Sequence, residues 1–367
     1  PIAATLNKEL KSDAPGGLSR PGFFVVHLFN RRAPRARSTS MTLPAQIAPP
    51  NAPKKVTVAT LASFRARGRR AVFVTAYDYP TAVFADRAGV DMLLVGDSAA
   101  MTVLGYPNTL GVSMDEMLVF SRAVCRGAKR AFVVGDMPFL SYQASDEDAV
   151  RNAGAFLVAG CDAVKCEGGA RVARRVRAIT DAGIAVMGHL GLTPQSQAQL
   201  GGYRVQGKTL AAVQRLTDDA LALQEAGAFA VLLEAVPAEA AAYLRERVEL
   251  LVYGIGAGPH VDGQLVISHD ILGNFVGDIR PRFVRRYADL DRDVEQAFRD
   301  YANDVRDGRF PAAEHLYPIE PAHEAEIRAA RFPVTPVIPS EARDLLLVTR
   351  GAGASACARD FKQDDRL

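Results

Sequence analysis

The feature that most constrains the fold of this chain is a recurring unit in which a helical pattern stops at Ala-Gly and a short apolar run follows. Four helix stops are close copies of one another, namely Ala88-Gly89, Ala159-Gly160, Ala182-Gly183 and Ala226-Gly227. A glycine there is typical of a helix C-cap, after which the chain turns into a strand. The apolar runs number eight: AVFVTAYD, DMLLVGDS, AFVVGDMP, DAVKCEGG, IAVMGHLG, FAVLLEAVP, LLVYGIGAG and QLVISHD.

Apolar strands that alternate with helix-length segments predict a parallel sheet whose outer face is covered by helices. Eight such units predict an α/β protein built as a closed (β/α)8 barrel, the TIM barrel, and an open doubly wound sheet is the alternative. The chain has 367 residues, of which 49% are apolar, and this is enough to fill the core of such a barrel.

The barrel is predicted to span residues 55–317. Residues 1–54, rich in Pro, Arg and Ser, show no sustained period and are predicted to be a disordered N-terminal extension, with Met41 as a candidate start. An organelle transit peptide is the alternative interpretation, although Glu9 and Asp13 argue against it. Residues 318–367 are interrupted by prolines and are predicted to be an irregular C-terminal extension.

The composition of the chain indicates which kinds of partner and which cellular compartment are to be expected. The 44 basic and 41 acidic residues nearly balance, so the totals show no basic surface of the size that nucleic acid requires. No apolar run approaches the ~20 residues of a membrane-spanning helix. The four cysteines show no CxxC pair, which favours reduced thiols and a cytoplasmic location, with the mitochondrion as the alternative if the N-terminal segment is a transit peptide.

Polar residues stand at the ends of most of the predicted strands. In a (β/α)8 barrel the carboxyl ends of the strands form one rim, and the active site lies there. Polar residues also follow strands simply because loops are polar, so any single one is weak evidence. The residues at these positions are Asp78, Asp97, Asp136, Glu167, His189, Glu234 and His269.

Three of these acids, Asp97, Asp136 and Glu167, end consecutive strands and would repel one another unless they were protonated or bridged by a cation. Oxygen ligands without histidine or thiolate favour Mg²⁺. Lys165 lies two residues before Glu167, so the strand period points both side chains to one face, where a structural salt bridge is the simpler interpretation. A metal beside an ammonium is suited to binding a 2-oxo acid and stabilising its enolate.

The proton acceptor is predicted to be Glu234, which ends an apolar strand where a carboxyl can acquire a raised pKa. His189 is the second candidate, since a lone histidine at a strand end more often positions a ligand.

The stretch GYRVQGKT, which starts at Gly202, matches the P-loop pattern, but the polar residues before it do not form the buried strand from which a P-loop must start.

The motifs taken together resemble the ketopantoate hydroxymethyltransferase family of pantothenate and coenzyme A biosynthesis. The resemblance runs from about Val56 to His315 and rests on motifs in the family's order: TAYDYPTAVFAD, LLVGDSAAMTVLGYPNTL, GDMPFLSY, AVKCEGG, GHLGLTPQS, GGYRVQG, LLEAVP, GIGAG and DGQLVISHDILG. It implies a TIM barrel of the phosphoenolpyruvate/pyruvate-like type. It also implies that 5,10-methylenetetrahydrofolate donates a hydroxymethyl group to 3-methyl-2-oxobutanoate, giving 2-dehydropantoate.

The resemblance further implies one Mg²⁺ per subunit, small-molecule substrates, no nucleic-acid or membrane partner, and a homodecamer of two pentamers. Motif by motif, it implies that Asp97, Asp136 and Glu167 bind the metal. It implies that Asp97, Ser98, Asp136, Lys165 and His189 bind the substrate, and that Glu234 is the catalytic proton acceptor. Two positions depart from the family pattern, Ala100 in GDSAAM and Cys166 in VKCEGG.

Two other functions are compatible with the same residues. A Mg²⁺-dependent carbon–carbon lyase acting on a 2-oxo acid would use the same barrel, although the chain has no KCGH-type cysteine motif of the kind that such lyases carry. A non-catalytic barrel that binds the oxo acid would keep the fold and would tolerate loss of Glu234.

Overall fold

The computed structural model describes residues 54–277 and 281–330, and the predictions for 1–53 and 331–367 fall outside this range. Eight strands form a closed barrel in chain order. Each strand pairs in parallel with its neighbour, and β1 pairs with β8, which excludes the open sheet. The strands are β1 Ala71–Thr75, β2 Met92–Val95, β3 Phe132–Asp136, β4 Ala163–Glu167, β5 Val186–Gly191, β6 Ala230–Glu234, β7 Leu251–Ile255 and β8 Gly263–Val266.

Helices connect the strands and continue beyond β8. They are α1 Val58–Ala66, α2 Tyr79–Arg87, α3 Ala99–Thr102, α4 Met114–Gly127, α5 Asp146–Val158, α6 Ala173–Asp181, α7 Gln197–Leu200, α8 Leu210–Glu225, α9 Ala238–Arg245, α10 Ser268–Leu272, α11 Leu290–Arg306 and α12 Pro321–Ala329. Short 3-10 turns lie at Thr109–Gly111, Ala170–Val172, Pro194–Ser196 and Ala313–His315. No helix in the described ranges is both long and apolar enough to cross a lipid bilayer.

The predicted helix stops are confirmed. The four glycines adopt φ values that an L side chain rarely tolerates: 85° at Gly89, 106° at Gly160, 85° at Gly183 and 90° at Gly227. At the starts of α1, α2, α4, α5 and α8, side-chain caps satisfy free backbone N–H groups. Ser113 and Glu116 form a reciprocal capping box at the start of α4.

Each strand separates two cores because its side chains alternate between opposite faces. The inner core fills the barrel and takes one residue in two from the strands, including Phe73, Met92, Phe132, Ala163, Met187, Leu232 and Tyr253. The outer core lies between the strands and the helices and includes the intervening residues, such as Val133, Val164 and Val231. The inner positions change from apolar to polar near the carboxyl ends of β3 to β6, where the candidate site begins.

The amino ends of the strands are closed by apolar residues and ion pairs. Asp91, which is fully buried before β2, pairs with Arg69 at 2.9 Å and Arg130 at 3.2 Å. This cluster lies at the opposite end of the barrel from the predicted rim, because it precedes the strand rather than following it.

The prediction that the chain is irregular from residue 318 onward is wrong for residues 321–329, which form α12. Prolines predict irregular chain here, but Pro321 occupies the first turn of α12, where its missing N–H costs nothing. Arg328 also pairs with Glu324 one turn away. The local sequence PAHEAEIRA is otherwise composed mainly of good helix formers.

Candidate active site

Strand register brings four of the predicted residues to one face of the barrel. Asp136 on β3 is paired in register with Lys165 on β4, and Glu167 on β4 is paired with His189 on β5. Because Lys165 and Glu167 are two residues apart, both continue the inward-facing row that Ala163 begins. The prediction that they share a face is confirmed.

Lys165 lies at the centre of a buried acidic cluster. Its Nζ is 2.8 Å from Asp136 Oδ1 and 3.6 Å from Glu167 Oε1, and each of the three side chains is at most 3% exposed. The interaction is therefore not a surface salt bridge, which would contribute little. Burial alone would lower the pKa of Lys165, but the charges of Asp136 and Glu167 hold it above its usual value. The ammonium is charged at neutral pH.

Asp97 follows β2 and joins the same cluster through its backbone and its side chain. Its backbone N–H donates to Asp136 Oδ2 at 2.9 Å, and its Oδ2 accepts a hydrogen bond from Gln195 Nε2 at 2.9 Å. The backbone N–H of Gln195 also donates to Glu167 Oε2 at 3.0 Å. Gln195 thus links two of the three acids that were predicted to bind metal.

The cluster holds more acidic groups than basic ones. Burial raises the pKa of the carboxyls of Asp97, Asp136 and Glu167, and the charge of Asp97 adds to the rise at Asp136. If all three carboxyls were ionised, they and the one ammonium would leave two negative charges uncompensated in a buried region, so the protein alone favours protonation of these acids. A divalent cation would remove this imbalance and favour the ionised carboxylates.

The donor set fits a hard cation only in part. Among residues 54–277 and 281–330, no three His, Cys, Asp or Glu side chains are grouped so that they alone could hold a metal ion. Several of the carboxylate oxygens already contact Lys165 or Gln195. Mg²⁺ commonly keeps several waters and binds through one or two carboxylates plus substrate oxygens, so oxygens from outside the protein are compatible with this arrangement.

His189 bridges the acidic cluster and Glu234. Its Nδ1 is 3.2 Å from Lys165 Nζ and 3.2 Å from Glu167 Oε1, and its Nε2 is 3.3 Å from Glu234 Oε2. Burial lowers the pKa of His189 and the charge of Lys165 lowers it further, so the ring is neutral at neutral pH. A neutral ring has one N–H, which serves either Glu167 or Glu234 but not both.

Glu234 ends β6 on the inward-facing row after Leu232. Its side chain is 19% exposed, whereas that of His189 is 2% exposed. The carboxylate therefore reaches the open cavity from the wall, with the imidazole behind it.

Ser98 follows Asp97 and has a tyrosine as its partner. The hydroxyls of Tyr77 and Ser98 are 2.8 Å apart. Burial raises the pKa of Tyr77 to about 12, although the Ser98 hydrogen bond opposes that rise. The neutral phenol fixes the position of the serine at the edge of the cavity.

A cavity of about 670 Å³ opens above the cluster. The predicted site residues that line it are Asp97, Ser98, Asp136, Lys165, Glu167, His189 and Glu234, and Asp270, Phe275 and Phe283 extend the lining beyond β8. The size falls within the range of about 300–1,000 Å³ that is usual for small-molecule sites.

Two of the strand-end residues have other roles. Asp78 caps α2 by accepting from the backbone N–H of Thr81 at 2.8 Å. His269 lies on α10 with its ring against Tyr77 at a centroid distance of 5.4 Å, and it does not line the large cavity. Period and strand end alone cannot distinguish an inward side chain from a cap.

Two supporting residues carried no predicted role. Gln195 lies in the GHLGLTPQS motif, and Tyr142 lies in GDMPFLSY. The Tyr142 hydroxyl accepts from the backbone N–H of Glu167 at 2.8 Å and lies 3.0 Å from the carbonyl of Glu167. Neither contact has a local sequence signal, because the partners are far apart in the chain.

The two departures from the family pattern leave the site's charges unchanged. Cys166 points away from the barrel interior into the outer core, where its Sγ is 3.6 Å from Met137 Sδ. Ala100 is also fully buried in the outer core. The stretch that resembles a P-loop lies between α7 and α8 and does not follow a strand directly; its Tyr203, Arg204 and Val205 line the large cavity, and α8 begins after its Thr209 cap.

The closed barrel and the lysine–carboxylate cluster at the carboxyl ends of its strands define a (β/α)8-barrel enzyme with a small-molecule site. Residues 55–313 match the ketopantoate hydroxymethyltransferase family, and this chain belongs to that family of transferases. The resemblance inferred from the motifs is thereby confirmed.

Relatives and a solved structure match most of this chain. The 3-methyl-2-oxobutanoate hydroxymethyltransferase of Carboxydothermus hydrogenoformans is 50% identical over 268 residues, which are 73% of this chain and 97% of the relative. The enzyme of the same name from Syntrophobacter fumaroxidans is 52% identical over 264 residues, which are 72% and 93% of the two chains. A phosphonopyruvate hydrolase solved with oxalate and Mg²⁺ superposes with a TM-score of 0.48 at 16% identity, covering 74% of this chain and 97% of that chain.

Proposed function

We propose that this enzyme transfers a hydroxymethyl group from 5,10-methylenetetrahydrofolate to 3-methyl-2-oxobutanoate, giving 2-dehydropantoate and tetrahydrofolate in pantothenate biosynthesis. The balanced reaction consumes one water, which supplies the new hydroxyl group. The observation that carries the proposal is the charged Lys165 beside Asp136 and Glu167, at the base of a cavity that Glu234 also lines. The cavity thus places a cation that can bind an anionic oxo acid close to a carboxylate that can accept its proton.

Asp97, Asp136 and Glu167 are the residues that we assign to one Mg²⁺ per subunit. The uncompensated charge of the buried cluster supports this assignment, as does its purely oxygen donor set. When bound, the cation supplies a Lewis acid for the keto and carboxylate oxygens of the substrate.

Lys165 and Ser98 hold the oxo acid together with Asp97 and Asp136, and His189 lines the same part of the cavity behind Lys165 and Glu234. The Lys165 ammonium, which the buried acids keep charged, offsets negative charge as the substrate loses its C3 proton. The Ser98 hydroxyl, which Tyr77 fixes in place, is available to a substrate oxygen at the edge of the cavity.

Glu234 is the residue that we assign to proton transfer. The C3–H bond breaks, its electrons move into the enolate, and the carboxylate takes the proton. His189 is the less suitable base because both of its ring nitrogens face protein groups and its side chain is buried. Its ring instead orients Glu234 from behind.

We further propose that the chain acts as a homo-oligomer, for which a decamer of two pentamers is the expected form. The supporting observation is α11, none of whose residues is buried although Val294, Phe298, Tyr301 and Val305 form one apolar stripe. The outer face of the barrel is also open beside β1, where Val72 is 50% exposed. The apolar stripe of α11 and this uncovered face are both exposed to a second copy of the chain.

Small molecules remain the predicted ligands, with no nucleic-acid or membrane partner. The cytoplasm remains the predicted compartment, with the mitochondrion as its alternative. Within the described ranges Cys125, Cys161 and Cys166 are free thiols, which is compatible with a reducing compartment.

The decisive experiment is a coupled assay for 2-dehydropantoate with and without 5,10-methylenetetrahydrofolate. We expect product only when the folate, 3-methyl-2-oxobutanoate and Mg²⁺ are all present. A second measurement follows exchange of the substrate's C3 proton in deuterated water by NMR. Turnover of a 2-oxo acid without folate would indicate a lyase instead, and binding of the oxo acid without turnover would indicate a non-catalytic barrel.

A further inference from the structure

The part of the cavity beyond β8 contains a carboxylate that the reaction of the oxo acid does not use. Asp270 lies on α10 and lines the large cavity. Its carboxylate makes no hydrogen bond or ion pair with the described residues, and burial alone raises the pKa of the group. The other acids of the cavity are engaged: Asp97, Asp136 and Glu167 by Lys165 or Gln195, and Glu234 by His189.

Aromatic residues stand beside Asp270 in the same wall. Phe275 and Phe283 both line the cavity, and Asp270 and Phe275 also line an adjoining cavity of about 240 Å³. The Phe283 ring packs directly on the backbone after β7, because a Cβ placed on Gly256 would lie only 2.5 Å from the ring. This part of the wall therefore combines apolar flat surfaces with the Asp270 carboxylate, and Arg282 lines the same cavity next to Phe283.

We infer that Asp270 is the anchor for the pteridine ring of the folate, with Phe275 and Phe283 packing against the ring. The inference rests on the proposed use of a folate donor. The pyrimidinone side of a pteridine presents two adjacent donors, the 2-amino group and N3–H, and one carboxylate can accept both in parallel. A flat heteroaromatic ring also stacks favourably on aromatic side chains.

The arrangement also divides the cavity by chemistry. The base near Lys165 offers a cation to an anionic oxo acid, whereas the region of Asp270 offers an anion to a neutral ring rich in donors. The wall beyond β8 thus selects the donor substrate, and the cluster on β3 and β4 selects the acceptor.

The test is the variant Asp270→Asn, which keeps the size of the side chain but replaces one acceptor oxygen with a donor. We expect the KM for 5,10-methylenetetrahydrofolate to rise roughly 10- to 100-fold, the usual worth of hydrogen bonds to a charged group. The KM for 3-methyl-2-oxobutanoate and the folate-free C3 exchange should stay near the wild-type values. Asp181→Asn, at an exposed aspartate on α6, is the matched control and should change neither KM.

A folate analogue that lacks the 2-amino group provides the second measurement. Wild-type enzyme should bind it roughly 10-fold or more weakly than the parent compound, whereas Asp270→Asn should discriminate little between the two. Equal discrimination by both proteins would overturn the inference. So would loss of C3 exchange in Asp270→Asn, because the carboxylate would then serve the oxo acid.

The two proposals fail in different ways. If wild-type enzyme neither binds tetrahydrofolate nor needs the folate for product, the proposed function is wrong. If wild-type enzyme does both and Asp270→Asn binds tetrahydrofolate equally well in a calorimetric titration, only the assignment of Asp270 is wrong.

Discussion

The active-site residues continue the inner core of the barrel, and this explains why their charges interact so strongly. On β4 the inward row runs from Ala163 through Lys165 to Glu167 without leaving the interior. Each charged group there has lost most of its water and depends on its neighbours for compensation. Substitution of one charged residue therefore changes the protonation of its neighbours. The effect of each substitution must be compared with that of a matched control variant.

Glu234→Gln tests the assignment of the base. The amide keeps the shape of the side chain and its contact with His189 but cannot accept the proton. We expect kcat to fall by roughly 10²- to 10⁴-fold, the usual contribution of general base catalysis, while the affinities for Mg²⁺ and the oxo acid stay nearly intact. Steady-state kinetics measures the fall in kcat, and calorimetric titration of Mg²⁺ and of the oxo acid measures the two affinities.

The C3 exchange reaction without folate locates the step that Glu234 serves. Loss of exchange in Glu234→Gln assigns the carboxylate to the oxo acid. Retained exchange together with lost turnover contradicts that role and moves Glu234 to the folate amine, leaving the enolising base to His189 or to water.

Asp136→Ala tests the assignment of the metal site. The substitution removes a proposed metal ligand and also leaves Lys165 without its nearest anion at 2.8 Å. We expect weaker binding of Mg²⁺ and of the oxo acid, with part of the activity restored by excess Mg²⁺. The free energy of unfolding should fall little, because Lys165 keeps Glu167 at 3.6 Å and the removal of one crowded acid relieves repulsion with Asp97 and Glu167.

Asp91→Asn is the matched control for that variant. Asp91 is also a buried aspartate paired with basic side chains, but it lies at the other end of the barrel. It should lower the free energy of unfolding without weakening Mg²⁺ binding. Equal loss of Mg²⁺ affinity in both variants would mean that a general loss of stability, and not a lost ligand, caused the effect.

At the scale of elements, most of the fold could be predicted from the sequence because strands and helix ends have local sequence signals. In all four Ala-Gly stops the alanine is the C-cap and the following glycine has a positive φ. Local signals fail in two places: Asp78 caps a helix although it follows a strand like Asp136, and α12 forms because its single proline occupies the first helical position. They also cannot reveal Gln195, whose partner Asp97 is 98 positions away.

The helix α11 carries the prediction for assembly. Phe298 lies in the middle of its apolar stripe and is 71% exposed. If the stripe packs on a second copy, Phe298→Asp should place an unpaired charge in that interface and reduce the assembled mass in analytical ultracentrifugation. Gln296→Asp, on the opposite face of the helix, is the matched control and should leave the mass unchanged. A wild-type monomer at micromolar concentration would refute the interface.

At the scale of the whole molecule, the barrel separates stability from chemistry by placing them at opposite ends. Apolar layers and the Asp91 ion pairs close the amino ends of the strands, while the carboxyl ends hold an acidic cluster whose charges are not balanced within the protein. The strand-end pattern of the sequence included the acids of this cluster, but it included Asp78 and His269 equally, and neither of these lines the cavity. The state of its charges depends on burial and register, which the sequence does not display.

This imbalance predicts that ligands stabilise the folded protein together. A cation that binds only the folded state at 100 times its dissociation constant adds about 2.7 kcal/mol to the free energy of unfolding. The oxo acid supplies oxygens that the three carboxylates do not, so Mg²⁺ and 3-methyl-2-oxobutanoate together should raise the Tm more than the sum of their separate effects. Differential scanning calorimetry with each ligand alone and with both measures this, and EDTA should abolish the joint increase. Asp97→Ala should lose the joint increase and Asp91→Asn should keep it; strictly additive shifts in wild-type enzyme would mean that the two ligands do not share one site.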